Sequence, residues 1–232
     1  MPAAAGPTAV RGCTGLYARS VTAWVRNRVI RLMRVDRLVG KPRRRFRVTT
    51  LANPQATPVV NQLNQAFAVA VPNRVWGADI TSIPTRDGWL YLAVVLDLCS
   101  RRIVGWATRP TLETDLVVAA LQLALGRRRA APQLHHSDQG SQYTSDRYRQ
   151  LLSAHGIQAS MSRPGNCYDN APVESFFHTL KNETGEIAWS SRRAATQGLA
   201  DYIEHFYNRE RLHSALDFRS PAAFEAALEH AV

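Results

Sequence analysis

The sequence has 232 residues, 45% hydrophobic and 20% charged, enough apolar content for one core of ordinary size and too much for wholesale disorder. Its formal net charge of +11 sits at one end: residues 1–50 carry twelve Lys or Arg and one acid, Asp36, whereas residues 51–232 carry seventeen of each sign. The longest apolar run, the eight residues 89–96, is too short to cross a bilayer, and three cysteines without CxxC spacing (Cys13, Cys99, Cys167) argue against a disulfide framework or a zinc knuckle.

The start, MPAAAGPTAVRG, lacks a basic segment followed by an apolar one, so no signal peptide is expected, and the cysteine usage suits a reducing cytoplasm. A basic arm on a neutral domain points to a polyanion, most often nucleic acid; a solvated tail that aids solubility is the plain alternative.

In chain order, residues 1–19 have no periodicity. Ser20 is placed to cap a helix over 21–38, where Val21, Val25, Val29 and Met33 recur on one face, and Gly40 would end it. The other face carries Arg26, Arg28, Arg31, Arg34 and Arg37, and the segment KPRRRFR (41–47), with Arg43, Arg44 and Arg45, is of the kind that tracks phosphates. Residues 48–72, with three prolines and no pattern, read as a linker. Strands are expected over 75–83, 89–98 and 103–108, joined by the turns Arg86-Asp87-Gly88 and Ser100-Arg101-Arg102. A helix over 114–126, a strand over 133–137, a helix over 145–155 and a strand over 157–161 follow. After the loop 162–169, Asn170 would cap a helix opening Ala-Pro-Val-Glu. A helix over 192–208 and a short one opened by Ser220-Pro221 end the chain. The β-β-β-α-β-α-β-α order predicts an α/β fold with a mixed sheet. The expected organisation is a basic N-terminal segment 1–47, linker 48–72, core 73–190 and a helical extension 191–232.

Three acids stand out. Asp79 lies inside a strand, where aspartate is disfavoured. Asp138 follows the C-terminal end of a short strand, where ligand groups collect in open α/β sheets. Glu174 sits in the first turn of a helix. Taken singly, each has an ordinary explanation: a bond to a loop, a turn residue, a helix-start acid. Together they form an all-oxygen donor set suited to magnesium or manganese. Asp97 ends the second strand and is expected to bond the turn at Ser100 or Arg101 rather than a metal. His135 and His136 precede Asp138, but no further ligand has zinc spacing, and a structural or orienting role is expected for His136. Trp76, Trp89 and Trp106 read as core, and Cys99 and Cys167 as inert thiols. Gly165, Asn166 and Asn170 border Glu174 in a loop able to order around substrate or simply to connect.

The segments WGADITSIPTRDGWLYLAVVLDLCSRRIVGW, HHSDQGSQYTSD and SRPGNCYDNAPVESFFHTLKNE, with the ending YNRERLHSALDFRSPAAFE, resemble bacterial insertion-sequence transposases of the two-frame insertion-sequence-three family. The chain is similar to the product of their downstream frame, which has an integrase catalytic core. The resemblance covers about residues 26–228; RNRVIRLMRVDRLVGKPRRRF is similar to the close of the family's helix-turn-helix module, of which 1–47 would be a remnant. The family's acidic triad falls on Asp79, Asp138 and Glu174, with 35 residues between the last two.

The resemblance implies a ribonuclease-H-like fold, a mixed five-stranded sheet flanked by helices. It implies metal-dependent DNA strand cleavage and strand transfer without a covalent protein–DNA intermediate, serving DNA transposition, integration and recombination. Two Mg2+ or Mn2+ ions would be held, Asp79 bridging them and Asp138 and Glu174 completing a shell each. Lys181, two helical turns after Glu174, falls on the family's DNA-contacting basic residue, and Arg211 would serve in packing or phosphate contact. Partners would be double-stranded DNA of element ends and target, the upstream-frame protein, and further copies of the chain on DNA, with no membrane. Two alternatives remain: a catalytically silent DNA-binding partner or inhibitor of the full transposase, and a ribonuclease-H-type or junction nuclease, against which the basic linker and the long tail weigh.

Overall fold

Five strands make one twisted sheet in the order β3-β2-β1-β4-β5, where β1 is Val75–Thr85, β2 Gly88–Asp97, β3 Ile103–Arg109, β4 Leu134–Ser137 and β5 Gln158–Met161. The computed structural model describes residues 26–36, 38, 59–128, 130–185 and 188–230. The first three strands are antiparallel neighbours, and β4 and β5 join in parallel, so the sheet is mixed as expected. The helices are α1 Arg26–Val35, α2 Thr114–Arg127, α3 Ser141–Thr144, α4 Asp146–Ala154, α5 Ala171–Thr184, α6 Arg192–Asp201 and α7 Pro221–Glu229. Two compact units result, one spanning Val48–His205 and the other Met1–Arg47 with Phe206–Val232.

Strand alternation decides which residues face which helices. Trp76 and Ala78 of β1 join Leu116, Val117 and Leu121 of α2 and Tyr148 and Leu152 of α4 in one buried cluster. Gly77 and Asp79 therefore point to the opposite face. There α5 lies against β1 so closely that a Cβ on Gly77 would come within 2.9 Å of Val173 Cγ2. Phe176 and Leu180 of α5 are buried on that helix, as are Ala195 and Leu199 of α6. Gly105 of β3 allows a similar approach to α2, since a Cβ there would meet the Ala120 carbonyl.

Several expectations are corrected. Trp89 is exposed (55%), because residues 86–89 at the hairpin end are exposed throughout; Trp76 is fully buried, and Trp106 is half-buried with its indole N–H donated to Glu204 (2.7 Å). Asn170 occupies the N-cap position of α5 but its side chain does not cap: it is committed to the sheet instead. A short helix, α3, precedes α4, and Ser145 caps the latter through the Tyr148 N–H. The helix expected over 192–208 is α-helical only to Asp201 and continues as a π-helix over Tyr202–Glu210. Ser220 caps α7, as anticipated.

In the other unit, α1 buries Val29 and Met33, four residues apart on one face as the periodicity predicts, and exposes Arg28, Arg31 and Arg34. Ser20, residues 21–25, Arg37 and Gly40 lie outside the described residues.

Candidate active site

Three elements meet beside β1. Asp79 is half-buried at the middle of β1, paired with Val94 of β2, and its Oδ1 accepts the Ile80 N–H (2.7 Å). Asp138 follows β4 directly. Its Oδ1 accepts the Gly140 N–H (2.9 Å), a tight turn in which a Cβ on Gly140 would stand 3.0 Å from that same oxygen. Glu174 stands in the first turn of α5. The helix start is pinned to β1 by the Asn170 side-chain amide, which donates to the Ala78 carbonyl (3.1 Å) one residue before Asp79.

Electrostatics tie the other two acids to Asp79. Burial pushes the Asp79 carboxyl well above the ordinary aspartate value, and the negative charges of Asp138 and Glu174 push it further; the Ile80 N–H and the Lys181 ammonium act against them. Lys181 is exposed overall, but desolvation holds its ammonium below the ordinary lysine value, with Asp79 opposing. Asp138, Glu174 and Lys181 thus each lie within electrostatic reach of Asp79. Among the described residues, no three His, Cys, Asp or Glu side chains are drawn closely enough together to ligate one ion as they stand. The donor set nevertheless suits a hard divalent cation: three carboxylates, no soft ligand, and a mutual repulsion that a cation would relieve.

Tyr143, on α3, is fully buried, and burial raises its phenol further above the ordinary tyrosine value along with the charges of Tyr148, Asp79 and Asp138. Its hydroxyl has no hydrogen-bond partner among the described residues. The sequence offered no signal for it beyond its place in HHSDQGSQYTSD.

The remaining candidates have structural roles or lie elsewhere. Asp97 accepts the Cys99 and Ser100 N–H groups (2.9 and 3.0 Å), the turn role expected of it. His136 is held between Ser160 Oγ (2.9 Å) and Ser162 Oγ (3.2 Å), and His135 by the Tyr148 hydroxyl (3.0 Å). Desolvation pulls His135 down to about 3 and His136 to about 4, so both are neutral at pH 7. Arg211 belongs to the other unit, where its guanidinium lies 6.0 Å from the centre of the Tyr207 ring. Arg43, Arg44 and Arg45 lie outside the described residues.

The chain matches the integrase core domain family over residues 70–167 and, through a second form of that domain, over residues 155–221. It is 46% identical over 201 residues to an insertion element IS600 uncharacterized 31 kDa protein of Shigella sonnei, covering 86% of this chain and 74% of that protein. The chain belongs to the insertion-sequence-three family of transposases. It is 48% identical to the transposase for insertion sequence element IS904 of Lactococcus lactis and 47% identical to the transposase InsF for insertion sequence IS3A of Escherichia coli, each alignment covering 71% of this chain. Those alignments span 66% and 58% of the two transposases, less than two thirds of their length. Among solved structures, a simian T-cell lymphotropic virus intasome in complex with the PP2A regulatory subunit B56 gamma superposes with a TM-score of 0.55 at 16% identity, over 75% of this chain and 60% of that one. The catalytic core of HTLV-2 integrase in complex with magnesium, in its trimeric form, gives 0.51 at 15% identity, over 66% of this chain and 97% of that one. At such identities the likeness concerns the fold, which is ribonuclease-H-like. Among the described residues, no helix is long and apolar enough to cross a membrane.

Proposed function

We propose that the chain carries out metal-dependent cleavage and transfer of DNA strands at the ends of an insertion sequence, as a cytoplasmic downstream-frame transposase. What supports this reading is that Asp138, just past β4, and Glu174, in the first turn of α5, both raise the cost of ionising Asp79 on β1. Asp79, Asp138 and Glu174 would hold Mg2+ or Mn2+, the cation of the HTLV-2 core being magnesium. When bound, a pair of such cations supplies neutralisation of the developing diester charge and acidification of the attacking hydroxyl.

The chain's own residues supply the rest. Asp79 stands central and half-buried, where low dielectric strengthens its hold on a cation. Gly140 leaves room for the Asp138 carboxylate and orients it through its N–H. Lys181 places a cation two turns along α5 from Glu174, available to a phosphate of the bound strand. Arg43, Arg44, Arg45 and Arg211 would contact the DNA backbone. Double-stranded DNA of element ends and target, the upstream-frame protein and further copies of this chain are the proposed partners.

The test is a strand assay on labelled duplexes carrying the inverted repeats that flank the gene. Magnesium or manganese should yield 3′-OH cleavage and joined products, and Asp138→Asn should yield neither. Cleavage in EDTA at the magnesium rate would overturn the metal site. DNA binding by the parent without any product would favour the silent-partner reading.

A further inference from the structure

Asp169 is a fully buried carboxylate in the 3-10 turn Cys167–Asn170, immediately before α5. Five hydrogen bonds end on it. Its Oδ2 accepts the Arg163 N–H and Nε–H (2.9 Å each) and the Asn61 side-chain amide (2.9 Å); its Oδ1 accepts Arg163 Nη2 (2.7 Å) and the Gln65 side-chain amide (2.8 Å). The Arg163 bonds hold the carboxyl far below the ordinary aspartate range. Two of the donors come from residues 61–65, more than a hundred positions earlier in the chain.

The same short segment makes a second tie. Ser160 Oγ on β5 accepts the Gln62 N–H (2.9 Å) and the Leu63 N–H (3.3 Å), and Leu63 is buried. Those two bonds occupy both lone pairs of the hydroxyl, so its proton goes to His136 Nδ1. His136 then carries its own proton on Nε2 and donates it to Ser162 Oγ. Residues 61–65 are therefore tied on one side to the turn that leads into Glu174, five residues after Asp169. On the other side they are tied to His136, two residues before Asp138.

We propose that Asp169 is a positioning residue, and that together with Asn61, Gln65 and the Ser160–His136 pair it forms a clamp that sets Glu174 against Asp138. The proposal rests on the reading of the acidic site given above. A buried carboxylate with five donors of fixed direction holds the turn far more narrowly than helix packing alone would. Arg163 gives it charge balance from within the loop, and the two amides carry that order to residues 61–65. Asp169 and the two amides would act through the turn and residues 61–65.

The experiment compares Asp169→Asn, the double variant Asn61→Ala/Gln65→Ala, and their combination. Amide hydrogen exchange is read on the metal-free protein, and kcat and KM for strand joining are read with magnesium. Both variants should speed exchange at residues 163–175 at least tenfold and leave β1–β3 unchanged. Both should lower kcat at least tenfold with KM within twofold, and the combination should be no worse than Asp169→Asn alone, because the same clamp cannot be broken twice. The proposal is overturned if the double variant exchanges and reacts like the parent. It is equally overturned if exchange rises uniformly over the whole core, which would make Asp169 a general stabiliser. Exchange on the metal-free protein decides the clamp whether or not Glu174 proves to be a ligand, so the two readings fail separately.

Discussion

Asn170 and Asp79 are linked through a single backbone group: the Asn170 amide donates to the Ala78 carbonyl, and the next residue along β1 is Asp79. The start of α5 is thereby registered to the strand that carries the first acid, and Glu174 follows one turn later. On the same face of β1, Gly77 has no side chain because Val173 occupies that space. Two contacts that involve neither carboxylate thus hold the start of α5 against β1.

Gly77→Ala should therefore act on chemistry through distance. Its Cβ would stand 2.9 Å from Val173 Cγ2, so α5 must move outward or Val173 must change rotamer. Strand joining should fall at least tenfold, with a stability loss of about 1–3 kcal/mol from overpacking. Gly105→Ala meets a backbone carbonyl of α2, which cannot rotate away, and should destabilise at least as much. Denaturant unfolding and joining assays on the two variants check this. Equal joining per folded molecule in both would show that the α5–β1 spacing does not matter.

Much of the fold and site is legible in the sequence, for physical reasons. Asp79 and Glu174 conflict with or exploit local propensity, and Asp138 sits at the strand end where such sheets bind ligands, so each leaves a local mark. The strands of β1 to β3 are long, apolar and punctuated by Asp, Gly and Ser. Asp169 leaves no such mark: its partners Asn61 and Gln65 are 108 and 104 positions away, and hydrogen bonds at that range follow from tertiary packing. Residues 61–65 lack periodicity, which says nothing of side-chain amides that reach a buried carboxylate. At Trp89 and Asn170, residue type suggests burial and capping, while the hairpin end and the sheet carbonyl decide both.

Acid stability should carry the signature of the buried histidines. His135 is pulled down to about 3 and His136 to about 4, both from 6.5. Below pH 6.5 the unfolded chain binds these protons and the folded chain does not, so stability is full above 6.5 and is lost as pH falls toward 4. Each contributes a slope of about 1.4 kcal/mol per pH unit in that window, so about 2 kcal/mol each at pH 5. His135→Leu should lower stability at pH 7, because the Tyr148 hydroxyl loses its partner, yet flatten the decline between pH 6.5 and 5 by one proton. Urea unfolding at several pH values measures both, and an unchanged slope would refute the assignment.

The basic arm predicts a salt effect. Replacing Arg43, Arg44 and Arg45 with alanine should weaken binding to every duplex alike and reduce the slope of log affinity against log salt by about 0.9 for each phosphate no longer neutralised. Titrations at three or more salt concentrations give the slope. No change would mean that the arm is solvated in the complex.

Glu174→Gln is the sharpest test of the site. It keeps the shape and helix position of the side chain and removes only the charge that would hold a cation. Cleavage and joining should fall by orders of magnitude, since metal catalysis is worth several kcal/mol of transition-state stabilisation. Folding should barely change: a carboxylate at a helix N-terminus contributes about 0.3–1 kcal/mol. Loss of one negative charge from the Asp79 cluster should offset part of that, because Glu174 raises the cost of ionising Asp79. DNA binding should persist or tighten. Glu183→Gln, nine residues on along α5, is the control; Glu183 accepts the Tyr202 hydroxyl (2.6 Å), and glutamine keeps an oxygen for that bond. Its chemistry should stay near the parent's. If the two substitutions behave alike, or Glu174→Gln joins strands at the parent's rate, Glu174 is not a ligand.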